Sequence, residues 1–228
     1  MEILYEDNHL LVVVKPQNVP SQADKTGDKD MLSICKEYVK QKYQKPGEAF
    51  VGLVHRLDRP TGGIMVFAKT SKCASRLAEQ MQNGEWEKKY LAVVVGKPKY
   101  KQDYLANYLK KDEKENIVKV VPPLETGAKK AEMTYKVIDE TDKLSLVECH
   151  LLTGRSHQIR VQMATIGNPV FGDVKYGGDI VKGWNLALWS YKLTFEHPIT
   201  HQTLNFVCFP DKNETPWKFF NLAKIREF

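Results

Sequence analysis

The chain has 228 residues, 42% hydrophobic and 27% charged, with 34 Lys and Arg against 28 Asp and Glu for a net charge of +6. This is ordinary globular usage, which excludes disordered and fibrous architectures and allows a sizeable core. The excess charge is local, because residues 51–100 carry +5 and 151–200 carry +2, and five of the six arginines (Arg56, Arg59, Arg76, Arg155, Arg160) fall there; the planar guanidinium suits a polyanionic partner.

Residues 3–5 and 10–15 read as strands around the turn-rich Glu6-Asp7-Asn8-His9, closed by Pro16. Over 30–44 the apolar positions Met31, Ile34, Cys35, Tyr38 and Val39 recur at helical spacing, with Asp30 as N-cap and Pro46-Gly47 as the stop. A Gly-rich turn leads to an apolar strand at 64–68. Thr70 or Ser71 then caps a second helix, with Cys73, Leu77 and Met81 as its buried stripe and Gly84 as its end. Residues 88–95 form a strand whose alternation puts Tyr90, Ala92 and Val94 on one face.

The stretch 97–130 is charged and broken by Pro98 and Pro122-Pro123; it reads as a mobile excursion with strands at 104–109 and 116–121. Residues 131–139 and 144–151 make a hairpin, 156–166 a short helix, and 187–195 with 203–209 a strand pair across His197-Pro198. Thr215-Pro216 starts a terminal helix. Hairpin-linked strands outnumber helices, which predicts an α+β fold: one domain with a mixed, mostly antiparallel sheet and flanking helices.

Cys35, Cys73, Cys149 and Cys208 stand far apart without a C-x-x-C pair, against a zinc site or disulfide framework. No stretch approaches the roughly 18 apolar residues of a membrane span, and the run 10–14 is too short for a signal sequence. The expected location is the cytoplasm.

Three clusters could carry chemistry. His55-Arg56-Leu57-Asp58-Arg59-Pro60-Thr61-Gly62-Gly63 packs one carboxylate and two arginines into a turn; by composition alone a surface loop with a salt bridge describes it better than a ligand site. Gly154-Arg155-Ser156-His157-Gln158-Ile159-Arg160 sits at a strand-to-helix junction, where Ser156 or Thr153 can cap the helix and its amides attract anions. Phe171-Gly172-Asp173-Val174-Lys175-Tyr176-Gly177-Gly178 reads as a loop.

With Lys89-Tyr90-Leu91-Ala92, these motifs stand in the order and spacing of the RluA-type pseudouridine synthases, which the chain resembles from about residue 3 to about residue 210. Tyr5-Glu6-Asp7, Lys15-Pro16 and Glu196-His197-Pro198 agree as well. The resemblance implies isomerisation of uridine to pseudouridine in structured RNA (rRNA or tRNA), in a central cleft, without cofactor or metal. It makes Asp58 the catalytic carboxylate, Tyr90 the ring that stacks on uracil and Arg160 the partner that keeps Asp58 ionised. Arg56 would fill the gap left by a flipped base, with Lys88, Lys89, Arg155 and Lys175 on backbone phosphates. His55 and His157 orient loops.

The resemblance also implies that residues 1–228 form the catalytic domain alone, without the separate N-terminal RNA-binding domain of many relatives, and that a monomer suffices. Two other readings remain: a catalytically silent RNA-binding or RNA-folding module on the same scaffold, and a glycoside or nucleoside hydrolase using Asp58. The hydrolase needs a second acid, for which Asp173 is the nearby motif candidate.

Overall fold

The computed structural model describes residues 1–177 and 184–225. The chain divides into two compact units, Met1–Glu87 with Ser190–Cys208, and Lys88–Trp189 with Phe209–Phe228.

In the first unit β1 (Glu2–Glu6) and β2 (Leu10–Lys15) form the expected antiparallel hairpin. Its turn is set by the Asp7 carboxylate, which accepts from the His9 and Leu10 amides at 2.7 Å. The apolar run of β2 is buried throughout, so it needs neighbours on every side. It pairs antiparallel with β4 (Gly62–Ala68), which also takes the two-residue β3 (Gly52–Leu53). Next to β4 runs β10 (Leu188–Glu196), with β11 (Thr203–Val207) antiparallel on it.

Helix α1 (Met31–Lys42) is capped by Asp30, which accepts from Ser33 N, and buries Met31, Cys35 and Val39. Helix α2 (Ser71–Gln82) is capped by Thr70, not Ser71. It buries Cys73 and Leu77 as expected, with Gln80 rather than Met81 as the third fully buried position. Gln80 is tolerated inside because its amide donates to Glu196 O at 3.0 Å and accepts from Trp86 Nε1 at 3.2 Å. Trp86 in turn stacks on Phe195, with centroids 4.9 Å apart, beside Leu10, Val12, Ile64 and Leu77.

The second unit holds five strands in the order β5-β9-β8-β6-β7. They are β5 (Glu87–Val95), β6 (Gln102–Asp112), β7 (Ile117–Val121), β8 (Lys129–Glu140) and β9 (Leu144–Leu151), and each neighbouring pair is antiparallel. The charged stretch after β5 is therefore not a loose excursion. Its strands β6 and β7 pair from Tyr108 with Val121 to Asp112 with Ile117. Leu109 and Val118 from them join Ala131 of β8 and Val161 of α3 (Gln158–Thr165) in a small core. Alternation hides these few apolar side chains among lysines, so the overall charge of the segment misled.

Two further expectations change. Helix α3 starts at Gln158, two residues late, and neither Ser156 nor Thr153 caps it: His157 occupies the N-cap position in the left-handed region (φ 51°) without a side-chain cap bond. The Gln158 side chain folds back instead, its Oε1 accepting from Thr153 Oγ1 at 2.7 Å and from Arg155 N at 3.0 Å. The terminal helix is replaced by two single 3-10 turns, Trp217–Phe219 and Leu222–Lys224. Trp217 inside the first turn and Phe220 just after it, where the chain is already extended, are both buried.

Candidate active site

In the first unit Asp58 lies on the return from β3 to β4, and the chain on either side of it is pinned by side chains from the end of β2 and the segment after it. Ser21 Oγ donates to Leu57 O at 2.7 Å and accepts from Leu57 N at 3.1 Å, as a neighbouring strand would. Lys15 Nζ donates to Arg59 O at 2.9 Å, and also to Val19 O and Pro16 O. Gln17 Nε2 donates to Pro60 O at 3.0 Å, and the Asp58 carbonyl closes a turn with Thr61 N. The peptides at 57, 59 and 60 are thus held while the carboxylate between them is only half-buried.

Lys15 is fully buried. Burial pushes its ammonium down to about 7, with the Asp58 charge working upward and that of Arg59 downward. The turn ends at Gly63, where φ is +116° and a Cβ would lie 2.2 Å from Ser190 O; only glycine lets β4 begin there. Arg59, the neighbour a surface salt bridge would use, turns away to Asp24, Asp28 and Thr26. Arg56 is exposed. His55 Nε2 accepts from Val66 N at 2.9 Å and its ring packs edge-on against Trp86, so it ties the loop to β4.

In the second unit Tyr90 is buried on β5, and Arg160 on α3. The guanidinium edge formed by Nε and Nη2 is taken by Asp173, bidentate at 2.7 and 2.8 Å, with side-chain exposures of 5% and 0%. The Tyr176 ring lies 5.1 Å from Arg160 Cζ. Its hydroxyl accepts from Val118 N at 2.8 Å and meets His157 Nδ1 at 2.7 Å. Asp173 also accepts from Lys175 N at 3.0 Å. One arginine, one aspartate and one tyrosine therefore interlock, and His157 orients Tyr176.

Of the remaining cations, Lys89 lies 3.7 Å from Glu148, Lys175 Nζ donates to Asn116 O, and Lys88 and Arg155 sit by the loop after β9. The sequence alone missed Lys15, Ser21 and Tyr176 as supports and Asp173 as the partner of Arg160. A lysine closing an otherwise apolar strand signals the first; nothing singles out Ser21. Gly178 of the third motif lies outside the described residues. Among the described residues no group of three or more His, Cys, Asp or Glu is arranged to hold a metal ion, and no helix is long and apolar enough to cross a membrane.

A family described as RNA pseudouridylate synthase matches residues 9–165. Two Bacillus subtilis proteins named as uncharacterized RNA pseudouridine synthases, YhcT and YjbO, are 34% and 35% identical over 207 and 210 residues, covering 90% of this chain and 67% and 71% of theirs. The ribosomal large subunit pseudouridine synthase D of Zymomonas mobilis is 32% identical over 90% of this chain and 68% of its own. The solved human RNA pseudouridylate synthase domain containing 4 superposes with a TM-score of 0.78 at 24% identity, over 92% of this chain and 89% of that one, and shares the fold. The motif residues and the α+β architecture agree with these matches: the chain belongs to the RNA pseudouridylate synthase family.

Proposed function

We propose that the protein converts particular uridines of structured RNA, rRNA or tRNA, to pseudouridine, with Asp58, Tyr90 and Arg160 as the groups that carry the reaction. The observation that bears most weight is the bracing of Asp58. Ser21 and Lys15 fix the peptides on both sides of a half-buried carboxylate, and a surface meant only to bind phosphates gains nothing from a rigidly aimed negative charge. That favours an enzyme over a silent RNA-binding module.

The chemistry is an isomerisation. The N1–C1′ bond of uridine breaks, the base turns, C5 bonds to C1′, and the hydrogen lost from C5 is balanced by the one gained at N1. One carboxylate is enough, whether it attacks C1′ or stabilises positive charge on the ribose. Tyr90 stacks on the uracil and Arg160 supplies a counter-charge for the carboxylate. Flipping the base costs roughly a few kcal/mol, and Arg56, exposed on the same loop as Asp58, would offset part of it by occupying the vacated stack. A hydrolase would need a second free acid, but Asp173 is already engaged bidentately with Arg160.

Asp58→Asn tests the reading. The variant should form no detectable pseudouridine by mass spectrometry of treated RNA while RNA affinity stays close to wild type. An active Asn variant, or a wild-type protein that leaves total RNA unchanged, would overturn it.

A further inference from the structure

The four basic residues that the sequence offers to RNA phosphates are sorted by the structure. Lys89 points to the face of β5 opposite Tyr90 and lies near Glu148, and Lys175 Nζ is committed to Asn116 O at 2.9 Å. Lys88 and Arg155 are different. Lys88 is half-buried on β5, two residues before Tyr90, in regular register with Leu151 as Tyr90 is with Cys149. The two side chains therefore share a face and stand roughly 6.7 Å apart along the strand.

Among the described residues no acceptor lies within hydrogen-bond reach of Lys88 Nζ. A Cβ on Gly154 would sit 3.7 Å from that nitrogen, so the ammonium rests against the loop that carries Arg155. Arg155 is fixed by one bond, Nε to Lys130 O at 2.8 Å. Its terminal nitrogens have no acceptor among the described residues. Burial, and then the like charge of Arg155, hold Lys88 below the usual lysine range. Two adjacent cations, one of them half-buried and neither neutralised by the described residues, destabilise a protein unless an anion completes them.

We propose that Lys88 and Arg155 together hold one phosphodiester of the RNA strand beside the nucleotide stacked on Tyr90. The proposal rests on the RNA reading above. A compact ammonium and two free guanidinium N–H groups on one side of a single anion suit the tetrahedral oxygens of a phosphate. The step from Lys88 to Tyr90 is comparable with the reach from a nucleobase to its own backbone.

The test is the salt dependence of binding to a fluorescein-labelled RNA stem-loop with uridines in its loop, for wild type, Lys88→Gln, Arg155→Gln and the double variant. Each single variant should weaken binding about 10-fold, as for loss of one charge-assisted hydrogen bond. The double variant should lower the slope of log K against log salt by one phosphate's worth, about 0.7–0.9. An unchanged slope, or a fall of about twice that, would overturn a shared phosphate. Without RNA, Lys88→Met should raise the melting temperature, since an uncompensated charge is removed; a lower value would make Lys88 a structural residue and sink the idea. Inorganic phosphate at constant ionic strength should compete only weakly, whereas tight binding of phosphate alone would reassign the subsite to a free anion. A wild-type protein that neither binds nor modifies RNA would bring down the enzymatic reading together with this one, whereas unaffected variants of an active enzyme bring down only the subsite.

Discussion

Replacing Asp173 by Asn is nearly isosteric, yet it should be among the most damaging changes outside the reacting groups. The carboxylate accepts two hydrogen bonds from Arg160 at 2.7 and 2.8 Å, and both side chains are almost completely buried. Asn offers one acceptor and turns an NH2 group toward a guanidinium N–H, leaving a buried cation short of its counter-charge. Removing one partner of a buried ion pair costs about 3–5 kcal/mol, a large share of the roughly 5–15 kcal/mol by which domains are stable. Urea unfolding should report that loss. Arg160 would also lose the fork that fixes its direction, and a displacement of about 1 Å near the chemistry can cost about 100-fold. Single-turnover pseudouridine formation should fall by that order at saturating RNA, with a much smaller change in RNA affinity. A variant that loses less than about 1 kcal/mol and keeps its single-turnover rate would show that Asp173 does not set the position of Arg160.

Two other predictions concern the framework. In Gly63→Ala the new methyl would lie 2.2 Å from Ser190 O and 2.6 Å from Ser190 N, backbone atoms that cannot swing aside. The expected loss is about 3 kcal/mol or more by thermal or urea unfolding, and a neutral result would contradict the close approach. Glu6 is pulled upward by burial, but hydrogen bonds from Lys42, Lys69, Tyr38 and Tyr43 outweigh this and hold it at about 2. A depressed carboxylate contributes stability that is complete above its ordinary value of 4.5 and is lost as pH falls from there through about 2. Solvent screening at the half-exposed Lys42 reduces the contribution to about 1–2 kcal/mol at neutral pH. Glu6→Gln should flatten the acid limb of the stability–pH curve in that window, and an unchanged limb would remove Glu6 as its source.

Much of the fold was legible because local signals and burial agree. Asp30 and Thr70 stand where N-caps belong and each accepts from the amide three residues on, Ser33 and Cys73, and Asp7 closes the first hairpin as an Asx turn. Legibility failed where a side chain works across sequence distance. The start of α3 is set by Gln158 reaching back to Thr153 and Arg155, so the serine that looks like a cap is passed over. The run 97–130 reads as loose because its lysines face water in alternation, while the few apolar positions that tie it down meet Val161 of α3 only in three dimensions.

The site shows the same division more sharply. The motif resemblance singles out Asp58, Tyr90 and Arg160, but not the groups that hold Asp58 and Arg160 in place. Ser21 precedes Leu57 by 36 positions and meets it only through the Leu57 backbone, so no pairing of these two residue types betrays it. Lys15 is the instructive case. At the end of an apolar strand a lysine is expected to snorkel to water, yet this one is fully buried, with three carbonyl acceptors and, among the described residues, no carboxylate bonded to it. Burial would favour the neutral amine, but a neutral amine has only two N–H donors for three carbonyls. The ammonium form is the one that satisfies the loop, and in that form it also places a positive charge near Asp58. Bracing the backbone and setting a positive charge near the carboxylate are thus done by the same side chain, which explains why a lysine stands where the rest of β2 is aliphatic.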